Sequence, residues 1–354
     1  MNRKASHDGR APLSSALTIT VLTDGRAGNR AQALGLAEAL ARRGEALIAE
    51  RIVTLKDPLD LLPARLWHAL RALPGWPAMG LREGGRTLAP LCPGPLLIGA
   101  GRRAAPVVAH LAQREGAPSV QILDPQMDPG TFSLVAAPAH DGLAAPNAVA
   151  TLGAVGRVTA QSIAEARAAL PPALGARIEA LPRPRLAVLL GGSSRNAGWD
   201  DGDGQSLVEA CRRLEAEGHG LVVTPSRRTD AALIERLRTA LPAGTGFLWD
   251  GAGPNPYPGM LALVDAVLVT ADSVNMASEA AAAGLPVHVF PIARLAPKHR
   301  AFHAALEAQG ASRPFEGRID HWRYPPLAEA DRLAGIVAER LLPHWAGASP
   351  QREG

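Results

Sequence analysis

Residues 267–290 read VLVTADSVNMASEAAAAGLPVHVF, an apolar strand that ends in a polar turn and opens straight into an Ala-rich helix. In a doubly wound α/β sheet ligands bind at such a junction, because the strand's carboxyl end and the helix's unpaired N–H groups face one crevice. Asp272 or Ser273 can cap the helix, and either leaves donors free for an anionic group. With Asp272 as the first helical residue, Met276 and Glu279 fall at i+4 and i+7, so all three share one face. Glu279 then lies roughly 10 Å along the axis from the helix tip, at about 1.5 Å per residue. That spacing suits a nucleotide with phosphate at the tip and ribose hydroxyls on Glu279. The competing reading is a capped helix whose Glu279 points to solvent.

The same alternation runs outward from this stretch. Residues 17–22 (LTITVL) predict a buried strand, followed by the loop TDGRAGN at 23–29 and a helix over about 30–43 that Gly44 ends. Further strands are expected at 46–53, 96–99, 120–123, 132–136 and 148–152, with a helix around 104–113. Residues 170–185, LPPALGARIEALPRPR, carry four prolines that break any long element. Beyond them the pattern restarts with strands at 186–190, 220–224 and 246–249. Helices are expected at 205–217, 230–241, near Tyr257, at 299–309 and at 326–342.

This order predicts an α/β protein with two Rossmann-like domains whose parallel sheets face a central cleft. Residues 1–16 are expected as a flexible tail, 17–170 as the first domain, 171–185 as a linker and 186–325 as the second domain. Residues 326–354 would form a helix packing back on the first domain, then a tail.

Composition agrees with this class. The 354 residues are 47% hydrophobic, 20% charged and only 4% aromatic, with mean hydropathy near zero, as in globular chains whose helices pack on sheets. The net charge of +4 comes from 37 Lys and Arg against 33 acids spread along the chain, and no nucleic-acid motif accompanies it. Cys92 and Cys211 stand far apart, so neither a disulfide framework nor a cysteine zinc site is indicated and a reducing compartment fits. The first residues carry no apolar signal core, and no run of 18 uninterrupted apolar residues exists. A cytoplasmic location is therefore expected.

Three loops at strand ends can carry chemistry. In TDGRAGN, the backbone around Gly25, Arg26, Gly28 and Asn29 can approach a phosphate or a sugar closely. It lacks the G-x-G-x-x-G of dinucleotide sites and the G-K-[ST] of a P-loop, which counts against NAD and against nucleotide hydrolysis. Asp24 can act as a general base in the cleft or simply cap the turn. The second loop, Gly191-Gly192-Ser193-Ser194-Arg195-Asn196, offers two glycines, two hydroxyls and a cation as a diphosphate cradle, or is an ordinary flexible turn. The third presents Ser226, Arg227 and Arg228, two guanidiniums for an anion or a solvated surface turn. No metal is expected: His299 and His303 at i, i+4 lack a placed carboxylate and read as solvated helix residues. No G-x-S-x-G of a serine hydrolase occurs. In residues 59–76, LDLLPARLWHALRALPGW, Leu62, Leu66, Trp67, Leu70 and Leu73 recur at helical spacing beside Arg65 and Arg71. Such a helix packs in a core or lies peripherally on the anionic inner face of the cytoplasmic membrane.

These segments resemble the bacterial family related to the plant mitochondrial-fission "elongated mitochondria" protein, whose members are regarded as glycosyltransferases. The matching stretches are 23–40, 189–200 (LLGGSSRNAGWD), 224–229 (TPSRRT) and 255–280, with Lys298 and Phe302 beyond. Where many relatives carry a His after the second Gly of the first loop, this chain has Asn29, a departure from the pattern. The layout also looks like the two-Rossmann-domain, GT-B-like glycosyltransferase architecture of the peptidoglycan enzyme that adds N-acetylglucosamine to a lipid-linked precursor. That resemblance implies a second domain that binds a nucleoside-diphosphate sugar, with Glu279 on the ribose and the GGSS loop and Ser273 on the diphosphate. It implies that the first domain receives a glycan or lipid-linked acceptor near Asp24 and Gly28, without a bound metal or other cofactor. The alternatives are an epimerase of nucleotide sugars on the same fold and a non-catalytic adaptor.

Overall fold

The apolar runs form two parallel sheets. In the first, Leu17–Thr23 (β1), Ala46–Ile52 (β2), Leu96–Ala100 (β3), Ser119–Ile122 (β4), Leu134–Pro138 (β5) and Ala148–Thr151 (β6) take the order β2-β1-β3-β4-β5-β6. The second half adds Arg185–Leu190 (β7), Ala197–Gly198 (β8), Gly220–Pro225 (β9), Gly246–Leu248 (β10), Ala266–Thr270 (β11), Val287–Phe290 (β12), Arg294–Leu295 (β13) and Ser312–Pro314 (β14). Its sheet runs β10-β9-β7-β11-β12-β14, and β8 pairs with β13 in a two-stranded ribbon. Renumbered within the half, that sheet has the 3-2-1-4-5-6 order of a Rossmann fold. The computed structural model describes residues 16–82, 96–194, 197–242, 244–251, 256–343 and 345.

The central strands are buried on both faces, which explains why they read as continuous apolar runs without alternation. Every residue of β7 and β11 is buried, and register places Val188 beside Leu268. Helices cover both faces of the sheets. The last one, Glu329–Leu341, returns to the first sheet, where Leu333, Ala334, Val337 and Ala338 join Ile19, Val21, Leu36 and Leu40 in one core.

Several local expectations shift. Helix Ala27–Ala41 starts earlier than 30, so the last three residues of the expected 23–29 loop form its first turn. The strand expected at 132–136 is displaced to 134–138, because Asp128 caps a 3-10 turn at Pro129–Thr131 and Asn147 donates to the carbonyls of Pro129 and Phe132. Helix Ala160–Ala168, absent from the sequence reading, is set by a capping box between Thr159 and Ser162. Within 171–185, Pro172–Glu179 is a helix: Pro172 sits at its first position, where a missing N–H costs nothing. Ile178 and Leu181 from this segment lie in a core with β7 and β11 residues.

The amphipathic helix expected over 59–76 does not form as one element. It breaks into Leu59–Leu61, Ala64–Ala69 and Leu70–Ala72, with Pro58 and Pro63 immediately ahead of the first two turns. Trp67 and Trp76 turn inward and pack with tilted rings, centroids 5.6 Å apart, and Leu70 packs against the same core. Leu61, Leu66 and Leu73 face outward.

Candidate functional site

Both sheets point their carboxyl ends at a cavity of about 470 Å³. From the first half, the loop after β1 contributes Asp24 and Arg26, and the first turn of helix Ala27–Ala41 contributes Gly28 and Asn29. Arg102 follows β3, Asp124 and Gln126 follow β4, and His140 and Asp141 follow β5. The opposite wall is Val274 and Asn275, at the start of helix Val274–Ala282, and Lys298 and His299, at the start of helix Pro297–Ala308.

Three helices therefore begin at this cavity, counting Ala27–Ala41, and none has a side-chain cap on its first-turn N–H groups. Uncapped first turns carry partial positive charge and free donors, the ordinary arrangement for holding an anion. Two glycines let the halves come this close. A Cβ on Gly28 would stand 2.9 Å from the Asn275 amide nitrogen. One on Gly153, at φ +72, would overlap Ser278 and reach 2.9 Å from the Phe302 ring. The halves are joined directly: Ala154 N–H donates to Ser278 Oγ at 3.1 Å, and Lys298 Nζ lies 3.6 Å from Asp141 Oδ1. Among the described residues no ion pair engages Arg102. Leu123 (φ 68) and Gln126 (φ 55), the non-glycine residues with positive φ among those described, both border the cavity, where strained backbone is held by its surroundings.

The sequence-predicted residues do not all converge here. Asp24 borders the cavity, but its carboxylate accepts from Arg26 N–H at 3.2 Å and from the Asn29 amide at 2.9 Å, so it caps its own turn. Arg26 lies 3.6 Å from it, mostly exposed. Gly25 takes φ +73 in the same turn. Asp272 does not begin the helix. It stands ahead of Val274, 3% exposed, and accepts from the N–H of Gly192 and from the Trp199 indole at 3.3 Å. It therefore does not share a face with Met276 and Glu279. The Gly191 N–H is likewise used, donating to Thr270 Oγ1 at 2.9 Å, while the Gly191 carbonyl accepts from Ser226 Oγ at 3.0 Å. So the donors expected to cradle a diphosphate at Gly191, Gly192 and Ser226 instead tie the loop across the point where strand order reverses. Ser193, Ser194, Arg227 and Arg228 remain exposed, and Ser273 is buried at the helix tip.

Glu279 lies in the second turn of the 274–282 helix and is half-buried, its carboxyl largely withdrawn from solvent. It borders a smaller cavity of about 140 Å³ that shares Ala154 with the main one. Burial pushes its carboxyl up to about 7, against a hydrogen bond from the Tyr257 hydroxyl, and that phenol is itself raised by burial and by the carboxylate. Met276 packs into the second core.

The histidines read as solvated are not. His299 is 8% exposed, and His303 Nε2 bonds the Ala271 carbonyl at 2.7 Å. Phe302 between them is fully buried, with His140 of the first half edge-on to its ring, so this side of the 297–308 helix faces the interior. Sequence reasoning also missed Arg102, Gln126, His140, Asp141 and Asn275. The first four follow apolar runs that end in turns, at GRR, DPQ and AHDG, a signal that was available. Among the described residues no group of three or more His, Cys, Asp or Glu side chains is placed to hold a metal ion.

With this geometry in view, the family described as "Mitochondrial fission ELM1" matches residues 27–341. The chain belongs to that family. The mitochondrial fission protein ELM1 of Arabidopsis thaliana is 30% identical over 197 residues, covering 54% of this chain and 45% of the plant protein, under half of its length. An uncharacterized protein of Rickettsia prowazekii, RP120, is 25% identical over 91% of this chain and 98% of its own. Among solved structures, the UDP-GlcNAc 2-epimerase of Methanocaldococcus jannaschii superimposes with a TM-score of 0.54 at 10% identity, covering 91% of this chain and 99% of that one. A second structure of that epimerase, in complex with UDP-GlcNAc and UDP, gives 0.51. The likeness shows a shared fold of two Rossmann-like domains, the GT-B type.

Proposed function

We propose that this ELM1-family chain is a glycosyltransferase that moves a sugar from a nucleoside-diphosphate sugar to an envelope glycan or lipid-linked acceptor, without a metal. The observation that carries the reading is the cavity between the sheets, where three uncapped helix N-termini meet a wall of carboxylates and amides. The diphosphate sits against the first turns of the 274–282 and 297–308 helices and Lys298, whose positive charge offsets that of the leaving group. This moves the diphosphate from the Gly191-Gly192 amides, already engaged, to the helix tips. Glu279 accepts the ribose hydroxyls in the second turn of the 274–282 helix, and the sugar projects toward Asp24, Asn29 and Gln126. The bound UDP-GlcNAc of the superimposed epimerase supports a donor of this class.

A thermal-shift screen with UDP, GDP, ADP, CMP and TDP and their sugars tests the donor, since a ligand of the native state raises the melting temperature. No shift with any of them at millimolar concentration would remove the reading. Glu279→Ala is expected to weaken the bound nucleotide by roughly 1–3 kcal/mol, the range for a hydrogen bond involving a charged group.

One observation favours an epimerase instead: the Lys298–Asp141 pair already joins the two walls of a cavity of about 470 Å³, which suits a reaction confined to one nucleotide sugar. Product analysis with and without acceptor separates the two.

The acceptor side favours a site peripheral to the cytoplasmic face of the membrane, carried by Leu61, Leu66, Leu73 and Met79, all more than 45% exposed. No described helix is long and apolar enough to cross a membrane.

A further inference from the structure

His299 borders the cleft cavity, is 8% exposed, and its ring Nδ1 has no hydrogen-bond partner among the described residues. A buried, unsatisfied imidazole costs stability and calls for an explanation. Its neighbours are cationic or neutral. Lys298 and His303 come from its own helix, His140 from the first half, and Arg228 from the loop after β9. The acids nearby are committed elsewhere: Asp141 to Lys298, Asp24 to Arg26 and Asn29, Asp124 to the Gln126 N–H, and Asp272 to Gly192 and Trp199. Burial first, and then those cations, hold the ring's pKa down to about 4, so it is uncharged at neutral pH.

An anion entering this cavity reverses the balance. It cancels the field of Lys298 and Arg228 and supplies the acceptor that the imidazole lacks, and a charge-assisted hydrogen bond is stronger than a neutral one. We propose that His299 takes up a proton as a diphosphate-bearing ligand settles against the 274–282 and 297–308 helix tips, so that ligand affinity and imidazole charge are linked. For its natural ligand the inference rests on the nucleotide-sugar reading, whereas the anion linkage rests on the cavity alone. Reciprocity fixes the size: each pH unit by which the anion raises the imidazole midpoint is about tenfold tighter binding to the protonated form.

The test is a histidine NMR titration of the full chain carrying labelled imidazole carbons, with the His299 signal identified by its loss in His299→Gln. Three samples are compared: the free protein, the protein with inorganic sulfate, and the protein with UDP-N-acetylglucosamine. Neither ligand changes its own protonation over the range scanned. In the free protein the ring stays neutral down to about pH 5, and either ligand moves its midpoint up by about one pH unit or more. A rise with both ligands, or with the nucleotide sugar alone, supports the linkage and the donor class together. A rise with sulfate alone keeps the linkage and removes UDP-N-acetylglucosamine as the ligand. A midpoint unmoved by either ligand, or one already at the ordinary histidine value in the free protein, overturns the proposal.

Discussion

Replacing Glu279 by Gln should make the empty protein more stable, and by an amount that grows with pH. The folded protein holds this carboxyl at about 7, against an ordinary value of 4.5, because burial disfavours the charged form. Between those values the native state keeps the proton and the unfolded chain releases it. Stability from this group therefore falls as pH rises from about 4.5 to about 7, and levels off above. At 1.36 kcal/mol for each pH unit the full cost is about 3 kcal/mol, an upper figure given that the side chain keeps some access to a cavity. Glutamine preserves the shape and an acceptor for the Tyr257 hydroxyl but cannot ionise. Urea unfolding of both proteins at several pH values is the assay, since contributions from every other group cancel in the difference. The variant should gain about 2–3 kcal/mol at about pH 8 and less than about 1 kcal/mol at about pH 5. A gap of the same size at both ends of the range would refute the reasoning, because an uncharged side chain cannot produce a pH-dependent difference and a titrating one must.

Asp272→Ala leaves the buried Gly192 N–H and the Trp199 indole without an acceptor, so thermal unfolding should register a loss of about 2–4 kcal/mol. Burial pushes the Cys211 thiol up to about 12, so native protein should resist thiol reagents near neutral pH and react fully once unfolded; rapid native labelling would contradict its burial. Gly153→Ala should cost more than about 1 kcal/mol in the same melts, from its φ of +72 and its contact with Ser278. In liposome flotation, Leu61, Leu66, Leu73 and Met79 changed together to Ser should abolish any binding to anionic vesicles, and binding that survives would remove the membrane role.

Much of the fold is legible because the central strands are buried on both sides. RLAVLL and AVLVT carry polar residues only at their ends, and the two threonines of LTITVL are small and β-branched, so these runs fit doubly covered strands; the turns after them carry the residues that face the cleft. What a sequence window hides is competition between partners distant along the chain. Asp272 has the right type and place for a helix cap, yet Gly192 and Trp199, over 70 residues away, offer better-placed donors. His299 and His303 carry a polar label, but Phe302 between them drives that helix face inward. The 59–76 stretch shows a helical period, but with prolines at 58 and 63 it forms short turns whose two tryptophans are drawn into the core. Helix Ala160–Ala168 escaped notice because serine replaces the usual acid in its capping box.

The return of helix Glu329–Leu341 to the first sheet means that the chain passes between the halves twice. The two passages are stitched together, since Leu152 N–H donates to Glu329 Oε2 at 2.9 Å and Arg332 to the Ala150 carbonyl at 2.6 Å. This double crossing ties the halves together along one side. It also makes the first folding unit discontinuous in sequence, so no single cut yields it whole: ending the chain before residue 329 strips the apolar face built from Leu36 and Leu40. An intact first half could be excised only from a circular permutant, in which the final helix is spliced ahead of β1 and the new ends lie in the crossover.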